Sequence, residues 1–129
     1  MAEYGKQSKA KLATCDQRLQ DIYNEAIKII DITILEGHRG KEIQDLYYSQ
    51  GKSKVKYPKG KHNSKPSKAV DSAPYPIDWK DIKRFIYLAG IIKGISHMKG
   101  IKIRQGIDWN GDNLFNESFL DAPHTELVD

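Results

Sequence analysis

The chain has 129 residues, of which 39% are hydrophobic and 29% charged, with a formal net charge of +4. That is the length of one domain, able to bury a core without disulfides. No apolar run nears the roughly 20 residues of a membrane span, and Cys15, the lone cysteine, excludes an internal disulfide.

Residues 1–13 are polar and lysine-rich and read as a flexible basic arm. They lack the apolar segment of a secretory signal, so the expected starting place is the cytoplasm. Thr14 and Gln17 have capping-box spacing. Leu19, Ile22, Tyr23, Ala26, Ile27 and Ile30 recur at helical spacing and predict a helix from about Cys15 to Ile30, with Cys15 as a small core residue. Ile32 to Leu35 is a short β-branched run and reads as a buried strand. After a turn at Gly37–Gly40 comes a second helix, with Ile43, Leu46 and Tyr47 inward and Gly51 as its stop.

Residues 51–68 hold seven Lys, two Pro and two Gly. Such a composition predicts a long loop, and long loops in compact domains are functional or disordered. Ala69 to Ala73 should be a strand, with Asp71 between small neighbours and Pro74 and Pro76 beyond it. Asp78, with Asp81 at N3, is placed as the cap of the longest helix, about Trp79 to Lys99, ended by Gly100. Ile101 to Arg104 alternates as a strand. Gly106 to Leu120 forms a polar loop carrying Trp109 and Phe115, and Pro123 to Val128 a last short strand. The order predicts an α+β single domain, with helices packed on a small, mainly antiparallel sheet.

The chemistry gathers in two stretches, G-K-H-N-S-K-P-S-K-A-V-D at 60–71 and D-A-P-H-T-E-L at 121–127. They offer His62, Asp71, His124 and a further carboxylate, Asp121. Three N/O ligands with an open fourth position suit a catalytic zinc, whereas a structural zinc is usually closed by thiolates. Asp121 lies three residues before His124, across a turn containing Pro123. Each residue also has a plainer reading: solvated histidines at 62 and 124, and a strand-end carboxylate bonded to backbone amides at 71. Arg39 in the G-H-R-G turn carries a fork that binds carboxylates in pairs, or it is a surface arginine. His38 and His97 are read as structural.

The ordered stretches K-H-N-S-K-P-S-K-A-V-D, P-Y-P-I-D-W, I-K-I-R-Q-G-I-D-W and D-A-P-H-T-E-L resemble the M15 family of zinc peptidases, most of all its small tailed-phage endolysins, from about Leu19 to Leu127. The resemblance implies a zinc peptidase catalytic domain over residues 14–129, one Zn²⁺ held by His62, Asp71 and His124, and Asp121 as the catalytic carboxylate. Arg39 would bind substrate, with Ser53 and Gln44 as further contacts. It further implies L-alanyl-D-glutamate endopeptidase activity on bacterial peptidoglycan, with D-alanyl-D-alanine carboxypeptidase as the alternative. It points to a monomer that waits in the host cytoplasm for a holin-like permeabiliser. Four features depart from the family pattern. The histidine–aspartate gap is nine residues where seven is common. Gln105 and Ile107 differ in the segment before Asp108–Trp109, and Thr125 replaces the usual Phe. These bear on pocket shape. From another class, the chain could be a non-catalytic basic module for cell wall or nucleic acid. The nucleic-acid version is poorer, since Tyr57 alone offers a stacking ring among the lysines.

Overall fold

The computed structural model describes residues 2–114 and 121–129. In chain order these form α1 (Lys6–Leu12), α2 (Gln17–Ala26), β1 (Ile32–Glu36), α3 (Lys41–Ser49), a 3-10 turn at Lys61–Asn63, β2 (Ala69–Pro74), α4 (Ile82–Met98), β3 (Ile103–Gln105) and β4 (His124–Leu127). The strands make one sheet in the order β1-β2-β4-β3, with every pair antiparallel. The fold is α+β, as the element order predicts. Phe115 and the rest of 115–120, placed in the polar loop by sequence, lie outside the described residues. Among the described residues no helix is long and apolar enough to cross a membrane.

Alternation along the strands divides the sheet into two faces. Val70 and Leu127 point towards α2 and α4 and join Leu19, Tyr23, Leu88 and Ile92 in the main core. Behind them, the Tyr23 hydroxyl lies 3.0 Å from Ser72 Oγ and donates to Thr125 Oγ1 at 3.1 Å. The other face carries Asp71, His124, Glu126 and Arg104. Register makes Asp71 the Cα partner of His124, and Glu126 that of Arg104. A bulge between Ile34 and Glu36 shifts β1 so that Glu36 comes opposite Asp71. One face therefore packs the core and the other builds the site.

Several local expectations are corrected. Residues 2–13 do not form a free arm: α1 packs on β1, burying Tyr4, Ser8 and Leu12. Its stripe at i, i+4, i+8 is interrupted by Ser8, whose hydroxyl accepts the Ile34 N–H, so it carries little hydrophobic signal. Asp16, not Thr14, caps α2 by accepting the Arg18 N–H, while Thr14 Oγ1 accepts the N–H of His38. α2 ends at Ala26 and a turn carries the chain to β1. Asp78 does not cap α4: it accepts the Lys80 N–H in a turn, and the helix begins after Asp81. α3 turns Ile43 and Leu46 outward, at 43% and 47% exposed, and buries Gln44. Its inner face meets a polar loop rather than the core, so apolar spacing points the wrong way. Gly51 and Gly100 do stop their helices, with φ of 74° and 69° in the left-handed region that favours glycine.

Candidate metal centre and active site

Asp71 stands at the centre of the site face. Its Oδ1 lies 3.3 Å from His62 Nε2 and 3.2 Å from His124 Nδ1. The rear nitrogens of both rings are committed. His62 Nδ1 donates to the Gly37 carbonyl at 2.7 Å, and His124 Nε2 donates to Glu126 Oε1 at 2.9 Å. A carbonyl and an ionised carboxylate can only accept, so these contacts set the tautomers. Each ring, when neutral, then turns a lone pair towards Asp71, itself an acceptor. Three acceptors converge stably only around a cation, either protons on the imidazoles or a metal ion.

The spacing suits a metal. Around a tetrahedral ion with bonds of about 2.0–2.1 Å, neighbouring donor atoms sit about 3.3 Å apart. Here two edges measure 3.3 and 3.2 Å, and all three donor atoms fall within 4.8 Å of one another. The groups around them express the same demand for positive charge. Burial opposes the charged form of Asp71, but hydrogen bonds from His124 and His62 outweigh it and hold its carboxyl well below the usual range. Burial pulls His124 down, yet its bonds to Asp71 and Glu126 push it up to about 9.

His124 comes from the register of β4. His62 comes from the lysine-rich loop and depends on side-chain clamps. The His62 carbonyl accepts the Arg39 N–H at 2.7 Å. Asn63 Oδ1 accepts the Gly60 N–H at 2.9 Å, and its amide donates to the Arg39 carbonyl at 3.0 Å and to Gln44 Oε1 at 3.3 Å. Asp121 is placed by a close approach of two backbones. Its N–H donates to the Gly106 carbonyl, and a Cβ at Gly106 would collide with the Asp121 carbonyl oxygen. Its Oδ2 lies 4.0 Å from His124 Nδ1. Burial and the nearby Asp71 carboxylate raise its affinity for a proton, with His124, His62 and Arg39 opposing.

These groups open onto a cavity of about 620 Å³, rimmed by Trp79, Trp109 and lysines of the 52–61 loop. Arg39 lies in its wall, 9% exposed. Its Nη2 donates to Glu36 Oε2 at 2.8 Å and lies 3.6 Å from Asp71 Oδ2, and its Nη1 donates to Gln44 Oε1 at 2.9 Å. Gln44 in turn donates to Ser53 Oγ at 3.0 Å and to the Val55 carbonyl at 2.7 Å. Gln44 and Ser53 line the cavity too, but their hydrogen-bonding groups are spent on protein partners. His38 stands apart and contacts the Ser64 carbonyl through Nδ1. Of the departures, Gln105, Ile107 and Thr125 do not themselves line this cavity. Gln105 donates to the Ala89 carbonyl, Ile107 packs with Phe85, and Thr125 faces Tyr23. Sequence reasoning missed Glu36 and the backing role of Glu126. Alternation two residues past His124 could have found Glu126, whereas the β1 bulge hides Glu36.

Residues 1–128 match the family described as phage L-alanyl-D-glutamate peptidase. The chain belongs to that family. The L-alanyl-D-glutamate peptidase of Escherichia phage T5 is 32% identical over 136 aligned positions, covering 98% of each chain. The solved structure of Serratia marcescens L-Ala D-Glu endopeptidase ChiX superposes with a TM-score of 0.78, over 98% of this chain and 90% of that one. At 19% identity it attests the fold.

Proposed function

We propose that this family member is a zinc-dependent peptidase that cuts the bond between L-alanine and D-glutamate in the peptide stems of bacterial peptidoglycan. The observation that carries the reading is the convergence of His62 Nε2, His124 Nδ1 and Asp71 Oδ1 beside Asp121 in one cavity. Family membership supplies the substrate class.

His62, Asp71 and His124 would hold one zinc ion. When bound, it supplies Lewis acidity that acidifies water and polarises a carbonyl. Asp121 does the proton work. Its carboxylate takes the proton of the attacking water and returns it to the nitrogen of the leaving amine. Burial and the charge of Asp71, which raise its proton affinity, suit it to both halves of that transfer. Arg39 meets a substrate carboxylate by exchange: the incoming group takes the place of Glu36 on the guanidinium. Gln44 and Ser53 support that arginine and the loop across from it.

The protein acts as a monomer from the host cytoplasm once a separate permeabiliser has opened the membrane. This part rests on the phage family alone. Mass spectrometry of digested peptidoglycan is the test. New stem ends at L-alanine and D-glutamate are expected. Release of free D-alanine instead would make the chain a carboxypeptidase, and an unchanged wall would make it a binding module.

A further inference from the structure

Behind His124 lies a carboxylate that the proton transfer does not use. Glu126 follows two residues along β4, so alternation returns it to the face of His124. Its Oε1 is 2.9 Å from His124 Nε2, and its Oε2 accepts from Arg104 Nη2 at 2.9 Å. Arg104 is its direct cross-strand partner in β3. The Glu126 side chain is 7% exposed and that of Arg104 51%. The Arg104 guanidinium stands 5.7 Å from the centre of the Trp109 ring, which is 5.2 Å from the His124 ring. The imidazole is thus bonded at its edge by Glu126, with the tilted ring of Trp109 beside it.

We propose that Glu126 is a positioning residue for the metal centre, fixing His124 as a ligand through Nδ1, with Arg104 fixing Glu126. A neutral imidazole has two tautomers, and its ring can rotate to present either nitrogen. A buried carboxylate at Nε2 accepts the N–H of one tautomer and repels the lone pair of the other. It also makes the ligand nitrogen more electron-rich. His62 is backed differently, by the uncharged Gly37 carbonyl, so the effect belongs to His124. Arg104 completes the arrangement by donating to the second oxygen of Glu126, which leaves the first for His124.

The inference rests on reading His62, Asp71 and His124 as a metal site, and the test separates the two. Zinc affinity is measured by competition with a chromophoric chelator for the whole chain and for Glu126→Ala, Glu126→Gln and Arg104→Ala. The absorption spectrum of the Co²⁺-loaded protein is the second readout. Glu126→Ala should bind zinc about 10- to 100-fold more weakly, with an altered Co²⁺ spectrum. Glu126→Gln keeps an oxygen that can accept the same N–H, so it should lose less, and Arg104→Ala less again. If Glu126→Ala does not fold, the Gln variant and Arg104→Ala carry the test, since each leaves Nε2 an acceptor. Zinc affinity within about two-fold of the natural chain in every folded variant, with an unchanged spectrum, overturns the proposal. A natural chain that takes up no zinc overturns the metal reading and this inference with it.

Discussion

The two histidines reach the same carboxylate from opposite kinds of structure. His124 begins β4, with Asp71 as its cross-strand partner, and the ladder sets its position. Behind that pair the sheet packs on the main core. His62 sits in a 3-10 turn within a lysine-rich loop. It is placed by contacts from Gly37, Arg39 and Asn63, most of them side chain to backbone. A ladder bond is shared with many neighbours and yields only with the sheet. A loop clamp can open locally at lower cost. One half of the centre is thus built into the fold, and the other is fastened to it.

The sharpest way to test that division removes one ligand from each side. His124→Ala and His62→Ala should each abolish zinc uptake, from about one ion per chain to almost none, and activity with it. Metal analysis of the purified variants decides this, and full occupancy in either variant removes that histidine from the ligand set. Asp121→Asn is next. It keeps the shape of the side chain and cannot take a proton, so zinc should stay while turnover falls on the order of 10²-fold or more. Near-normal turnover would sink the assignment of Asp121 as base. Gly106→Ala should hurt the same step from the backbone side, since its Cβ would collide with the Asp121 carbonyl.

Arg39→Lys probes the cavity wall between the two halves. An ammonium cannot make the paired contact of a guanidinium fork. Losing one charge-assisted contact is worth roughly 1.5–3 kcal/mol, or about 10- to 100-fold in kcat/KM. Substrate whose stem carboxylate has been amidated should lose rate on the natural enzyme and lose little more on Arg39→Ala. Simple addition of the two losses would show that Arg39 does not touch that carboxylate.

The strand-held half was legible in the sequence because strands announce themselves by alternation and β-branching. Ile32–Leu35, Ala69–Ala73 and the terminal strand were all placed within a residue or two of β1, β2 and β4. The turn before His124 was legible too: Pro123 and the three-residue gap to Asp121 match the bond from the His124 N–H to the Asp121 carbonyl. The loop-held half was legible only as a motif. Periodicity assumes that the inside of a helix is apolar, and α3 breaks that assumption by burying Gln44 against the loop. The clamps of Asn63 and the bulge that brings Glu36 to the site depend on tertiary register, which a linear pattern does not carry. α1 was missed for a related reason, since Ser8 earns its buried place by a hydrogen bond to β1 rather than by hydrophobicity.

The smallest expected effects give the cleanest contrast, because they touch neither ligand nor base. Asn63→Ala removes the loop clamp. It strips the Gly60 N–H and the Arg39 carbonyl of their partner. The loop can relieve those unpaired groups by opening to water, so the cost should appear locally. Hydrogen exchange in the 52–63 segment should speed up, and zinc affinity should fall on the order of ten-fold, as for other groups that orient a ligand from behind. Tyr23→Phe is its counterpart on the sheet. It removes a hydroxyl bonded to Ser72 and Thr125, the neighbours of Asp71 and His124 in β2 and β4. Those two hydroxyls lie deep in the core side and cannot reach water without parting the sheet. The loss should therefore appear as about 1 kcal/mol of global stability in denaturant titration, with zinc affinity nearly unchanged because the ladder still sets the register. The two variants should thus move different observables. If Asn63→Ala lowers only global stability, or Tyr23→Phe lowers only zinc affinity, then the loop and the sheet hold their histidines in the same way, and the division between built-in and fastened halves is wrong.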